Sequence, residues 1–165
     1  MRKANKRFFL LLHYKHAGVP QSRLRDIYVA MTRSILEFSS NVYHSQLNKH
    51  QTNELERIQK RCLRAVYGYE KTYEELLHLS GLDTLEDRRT RAFEKFAKKT
   101  LKNEKYSAWF PLKPPIRTTR SKAIYLEEKA VGNRLFKSPI FAMRRVLNRT
   151  ETSEVYDMSG LFNAP

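Results

Sequence analysis

Apolar residues recur at steps of three and four along residues 3–102, in five blocks separated by helix-starting and helix-stopping residues. The first block, 3–16, is closed by Gly18, and Pro20 stands at the first turn of a second block that runs to about Ser39. That block sets Leu24, Ile27, Tyr28, Met31, Ile35, Leu36 and Phe38 on one face, the spacing of a buried helix side. After a polar turn over 45–48, Asn48 reads as the N-cap of a helix over 49–67, with Gly68 as its stop. Thr72 and Glu75 make a capping-box pair for a short helix to Ser80, which Gly81 ends. Thr84 and Asp87 open the fifth block. Five helices with short connections predict an all-α bundle over 1–103, and no segment alternates with the period of a strand.

Beyond Asn103 the periodicity fails. Trp109-Phe110-Pro111, Pro114-Pro115 and a following Thr/Arg/Ser/Lys-rich stretch predict an extended, Pro-containing segment over 104–137, lying across the bundle. Ser138 and Pro139 restart a helix over 138–148 through Ile140, Phe141, Met143, Val146 and Leu147. The polar remainder, 149–165, is expected to be a flexible tail.

Two of the helices also sort charge. At about 100° per residue, Leu55, Ile58, Cys62, Leu63 and Val66 share one sector of the 49–67 helix, and Arg57, Lys60, Arg61 and Arg64 lie about half a turn away. In the 85–102 helix Leu85, Phe93, Phe96, Ala97 and Leu101 oppose Arg88, Arg91, Lys95, Lys98, Lys99 and Lys102. One basic row is most often a solvated face. Two rows of one sign in one chain point instead toward a polyanion.

Composition strengthens that direction. The 165 residues carry a formal net charge of +15, while 41% hydrophobic and 12% aromatic content suffices for an ordinary core. The excess is spread along the chain, with 21 Lys/Arg against 11 Asp/Glu in 1–103 and 11 against 6 thereafter. Such a field favours nucleic acid through steering and counterion release. Anionic membrane is the rival, yet no run approaches the roughly 18 apolar residues of a spanning helix, and no membrane partner is expected. A lone Cys62, on an apolar face, fits core filling and a reducing intracellular compartment, nuclear or cytoplasmic. The opening MRKANKRFFLLLHYKH has only five consecutive apolar residues, Phe8 to Leu12, and no small-residue cleavage site, so secretion is not expected. A transit peptide stays open, because the first acidic residue is Asp26, although no serine precedes Ser22.

Catalytic chemistry finds little foothold. Glu74-Glu75, Glu86-Asp87 and Glu127-Glu128 are sequence neighbours that diverge on a helix, which suits caps and solubility better than a shared metal or proton. His13 and His16 have ligand spacing, but Cys62, His44, His50 and His78 do not complete a zinc shell. No Gly-rich phosphate loop occurs among the five glycines. The expectation is a binder with no cofactor, metal or small-molecule substrate. Tyr14, Tyr28, Tyr43, Tyr73, Phe93, Phe96 and Trp109 read mostly as core, and Tyr67 and Tyr69 could pack or stack on bases. Backbone contact is expected rather than base-edge readout.

The stretches RSILEFSSNVYHSQL (33–47), LERIQKRCLRAVYG (55–68) and YEELLHLSGLDTLEDRR (73–89) occur in that order, followed by FAKKTLKN (96–103) and KSPIFAMRRVLN (137–148). Together they resemble the region after the polymerase palm in reverse transcriptases of jockey-like non-LTR retrotransposons, over about Phe8 to Asn148. Phe38 and Tyr43 stand where that family usually has Tyr and Trp, and Cys62 stands at a usual Ala. The resemblance implies that 1–103 is a thumb, the helical element that grips the template–primer duplex. The family's metal-binding palm aspartates lie upstream of this region, and no Ala-Asp-Asp motif occurs in these residues.

The expected function joins both lines. The chain reads as a reverse transcriptase fragment that binds an RNA–DNA hybrid or duplex through its phosphate backbone and is not an enzyme on its own. The ten cations of the two rows are its candidate contacts. The alternatives are a stand-alone helical adaptor and a non-functional retroelement remnant.

Overall fold

The computed structural model describes residues 2–113, 124–127 and 132–160, and of 133, 134 and 151–160 it describes the backbone. The chain is all-α, as its periodicity predicts. In order come α1 Arg2–His16, α2 Gln21–Ile27, a π-helical segment Tyr28–Arg33, α3 Ser34–Glu37, α4 Ser40–Tyr43, a 3-10 turn His44–Gln46, α5 Lys49–Tyr67, α6 Tyr73–Ser80, α7 Leu85–Leu101, a 3-10 segment Glu104–Trp109, α8 Asn133–Phe136 and α9 Pro139–Gly160. Among the described residues, extended pairing is limited to an isolated antiparallel bridge between Leu112 and Tyr125. The chain forms two compact units, one of Met1–Ser40 with Leu47–Thr90, the other of Asn41–Gln46 with Arg91–Pro165.

The caps of the first unit sit where the sequence puts them. Asn48 and Gln51 close a reciprocal capping box on α5 at 2.8 and 3.0 Å. Thr72 and Glu75 do the same on α6, and the bonds to the Thr72 backbone and hydroxyl hold the Glu75 carboxyl below its ordinary range. Gly81 ends α6 in the left-handed conformation at φ +61°, which a side chain would strain. Pro20 precedes α2 as its N-cap rather than sitting in the first turn.

A π turn changes the buried face of the second block. The uninterrupted 3.6-residue period puts Phe38 inside, but one extra residue in the turn over Tyr28–Arg33 rotates the helix beyond it. Thr32, Arg33 and Leu36 take the inner positions, whereas Phe38 is 78% exposed. The helix then stops, with Phe38 extended at ψ 125° and Ser39 at φ +55°.

Leu11, Leu24, Tyr28, Leu63, Leu76 and Leu85 are at the centre of this unit's core, and Cys62 fills it as expected. Running through it is a polar chain that periodicity does not reveal. Tyr28 Oη donates to Gln59 Oε1 at 2.7 Å, and Gln59 Nε2 donates to Tyr73 Oη at 2.9 Å and to the Asp83 carbonyl at 3.0 Å. Tyr73 Oη donates to Glu56 Oε2, whose other oxygen accepts the Glu86 N–H at 2.9 Å in the first turn of α7. One hydrogen-bonded path thus fixes α5, α6 and the start of α7 against the π segment.

Burial makes that core sensitive to alkali. It pushes the Cys62 thiol up to about 12 and both phenols, Tyr28 and Tyr73, well above their ordinary value. Each group stays protonated in the fold but ionises on unfolding, so its contribution is complete below its unfolded value and is lost as pH climbs toward its folded value. Stability is expected to hold to about pH 8 and then to fall by up to about 1.4 kcal/mol per pH unit for each group engaged. Urea midpoints measured across pH 7–11 check this, and a flat profile would contradict the buried placement of these groups.

The second unit packs Phe93 and Ala97 of α7 with Phe110, Tyr125 and the α9 residues Ala142, Met143 and Leu147. Phe96, expected inside, is 38% exposed, because Thr100 and Phe93 hold the inner line of α7. Buried Asn148 binds the chain at 124–127. Its Oδ1 accepts from the Ile124 and Tyr125 amides at 3.0 and 2.9 Å, and its Nδ2 donates to the Tyr125 carbonyl at 3.1 Å. Arg144 Nε donates to the Trp109 carbonyl at 2.6 Å.

Two expectations beyond Asn103 change. Residues 104–109 are 3-10 helical, started by the Asn103 side chain accepting from the Lys105 amide at 3.1 Å, and 133–136 are helical too. The last helix passes Asn148 and continues to Gly160, since neither Gly nor Pro interrupts 149–159. The portions of the expected extended segment at 114–123 and 128–131, and of the tail at 161–165, lie outside the described residues.

Candidate nucleic-acid interface

The α5 row occupies the face opposite the core. Its buried residues are Ile58, Gln59, Cys62, Leu63, Ala65 and Val66, while Arg57 and Arg61 are exposed and Lys60 and Arg64 half-buried. Three of the four are engaged locally. Arg57 pairs with Glu54 three residues earlier, and Lys60 Nζ lies 5.9 Å from the centroid of the Tyr73 ring. Arg61 stacks 4.1 Å from the Phe8 ring centroid and donates to Asn5 Oδ1 at 2.9 Å, so it belongs to the seam between α1 and α5.

On α7 the row fills one sector about 100° wide, opposite Leu85, Arg89, Phe93, Ala97 and Thr100. Arg88 is held by Glu37 at 2.6 Å, on the same Oε1 that accepts Arg33 Nε at 3.1 Å. Arg91, Lys95, Lys98, Lys99 and Lys102 are exposed. Among the described residues the side chains of Lys95, Lys99 and Lys102 have neither an ion-pair nor a hydrogen-bond partner. They are the cations of the two rows that the fold displays without engaging.

Sequence reasoning missed two features of this charge. Arg89, adjacent to the row, is 2% exposed and packs on the apolar side, with Nε and Nη1 buried and without hydrogen bonds. No phosphate reaches it. Conversely, α1 carries Arg2, Lys3, Lys6 and Arg7, all exposed, on a helix without an acidic residue. The absence of carboxylates before Asp26 was a legible signal for this third basic surface.

No grouping of three His, Cys, Asp or Glu side chains able to hold a metal ion exists among the described residues. Their helices include none long and apolar enough to cross a membrane. In comparisons with protein families, curated proteins and solved structures, nothing matches this chain.

Proposed function

We propose that this chain binds the phosphate backbone of nucleic acid, as the thumb region of a jockey-like non-LTR retrotransposon reverse transcriptase, and performs no chemistry itself. The observation that carries the reading is the row Lys95, Lys99 and Lys102, exposed and unpaired on the solvent face of α7, the opposite face of which supplies Phe93 and Ala97 to the core. An ammonium carried on the solvent face of a helix reaches a phosphate without first breaking a bond within the fold, and each contact releases counterions. The α5 row adds to this more weakly, since Arg57 already has a carboxylate and Lys60 an aromatic face.

The test is binding of the purified chain to a labelled RNA–DNA hybrid by fluorescence anisotropy, with Arg57→Glu, Lys60→Glu and Arg64→Glu combined. Arg61 is left in place because it joins α1 to α5. Affinity is expected to fall about ten-fold or more at 100 mM salt, with the helical circular dichroism unchanged. A stand-alone interaction module is the second reading, favoured by Phe38 at 78% exposure. That reading gains if the hybrid binds the variant and the unaltered chain equally.

A further inference from the structure

Beside the seam between α1 and α5, the exposed Phe9 ring shares one side of α1 with basic residues. Phe9 is 60% exposed and meets the buried Phe8 edge-on at 5.9 Å, with the ring planes at 62°. Arg61 lies over the Phe8 ring with one edge tied to Asn5, which fixes the guanidinium plane, and its remaining donors belong to an exposed side chain. Asn5 and Phe9 are four residues apart on one side of α1, and Arg2 precedes Asn5 by three, so these side chains are helix-surface neighbours. Lys6 adds a further basic group nearby, and α1 contains no carboxylate to neutralise any of them.

The geometry points to a binding site for an unpaired stretch of nucleic acid, in which Phe9 stacks on one base and Arg61, with Arg2 and Lys6, holds the flanking phosphates. This rests on the phosphate-binding reading above and adds a preference to it. A ring projecting beside cations offers a face to a base, and only an unpaired base has its own face available, whereas a duplex stacks its base faces inside and presents phosphates and groove edges. A membrane surface fits less well. A helix lying on lipid needs a continuous apolar stripe, and the stripe of α1, Ala4, Phe8 and Leu11, is already spent in the core.

The experiment compares a fluorescent single-stranded oligouridine and an RNA–DNA hybrid of equal length, each titrated with the full chain and with its Phe9→Ala and Phe9→Trp variants. Phe9→Ala is expected to weaken single-strand binding about ten-fold or more and to leave hybrid affinity within about two-fold, while Phe9→Trp retains or strengthens single-strand binding. A 2-aminopurine placed in the strand should be quenched by the unaltered chain and not by Phe9→Ala. Equal single-strand affinities for the unaltered chain and Phe9→Ala overturn the site but leave the phosphate reading intact wherever the hybrid still binds. Equal losses on both nucleic acids also overturn it, as does Phe9-dependent binding to phosphatidylserine vesicles without Phe9-dependent binding to the strand. Failure of the unaltered chain to bind either nucleic acid removes both proposals.

Discussion

Replacing Gln59 with leucine is expected to lower stability by about 2–4 kcal/mol, the loss of a core residue rather than of a polar surface one. Gln59 is fully buried, and its amide accepts from Tyr28 and donates to Tyr73 and to the Asp83 carbonyl. Leucine has similar bulk but leaves the buried Tyr28 hydroxyl without its acceptor and removes one hydrogen bond each from Tyr73 and the Asp83 carbonyl. An unsatisfied buried group costs roughly 1–3 kcal/mol and each ordinary hydrogen bond lost about 0.5–1.5 kcal/mol, and together these outweigh the apolar surface gained. Tyr28→Phe removes only one partner and is expected to cost about 1–2 kcal/mol. Urea unfolding of both variants measures these losses, and a Gln59→Leu loss under about 1 kcal/mol would contradict the hydrogen-bonded path as a stabilising element.

The second large effect concerns binding. Combined Lys95→Glu, Lys99→Glu and Lys102→Glu is expected to weaken affinity for an RNA–DNA hybrid by about a hundred-fold or more at 100 mM salt. Each change removes a phosphate contact and adds a repulsion at a position where the helix holds the side chain in solvent. The fold is expected to tolerate them, because all three residues are exposed and none holds another element. This loss should exceed that from the α5 variant, whose cations are partly engaged by Glu54 and Tyr73.

Much of the helix layout was legible because its signals are local. Asn48, Thr72, Gly68 and Gly81 act on bonds within a few residues of themselves, and the structure keeps each in its expected role. The failures came where a distant partner or a change of pitch decides. Phe38 left the core through the π turn upstream. Gln59 and Arg89 sit on the apolar sides of α5 and α7 although polarity assigns them to solvent, and Asn148 is buried to bind a strand-like stretch more than 20 residues away. The cationic rows themselves followed from periodicity. Which cations stay unpaired did not, since Arg88 meets Glu37 across 51 positions of sequence. The basic character of α1 bore in the sequence only on a transit peptide, because the apolar residues of that helix carry its periodic signal.

The most direct test of phosphate binding is the salt dependence of hybrid affinity between 50 and 400 mM. With about six phosphates engaged, log K should fall against log salt with a slope of about −5, and removing Lys95, Lys99 and Lys102 should bring it to about −3. A slope near zero, or one that the triple substitution leaves unchanged, would contradict the claim that these helices present their cations to a polyanion.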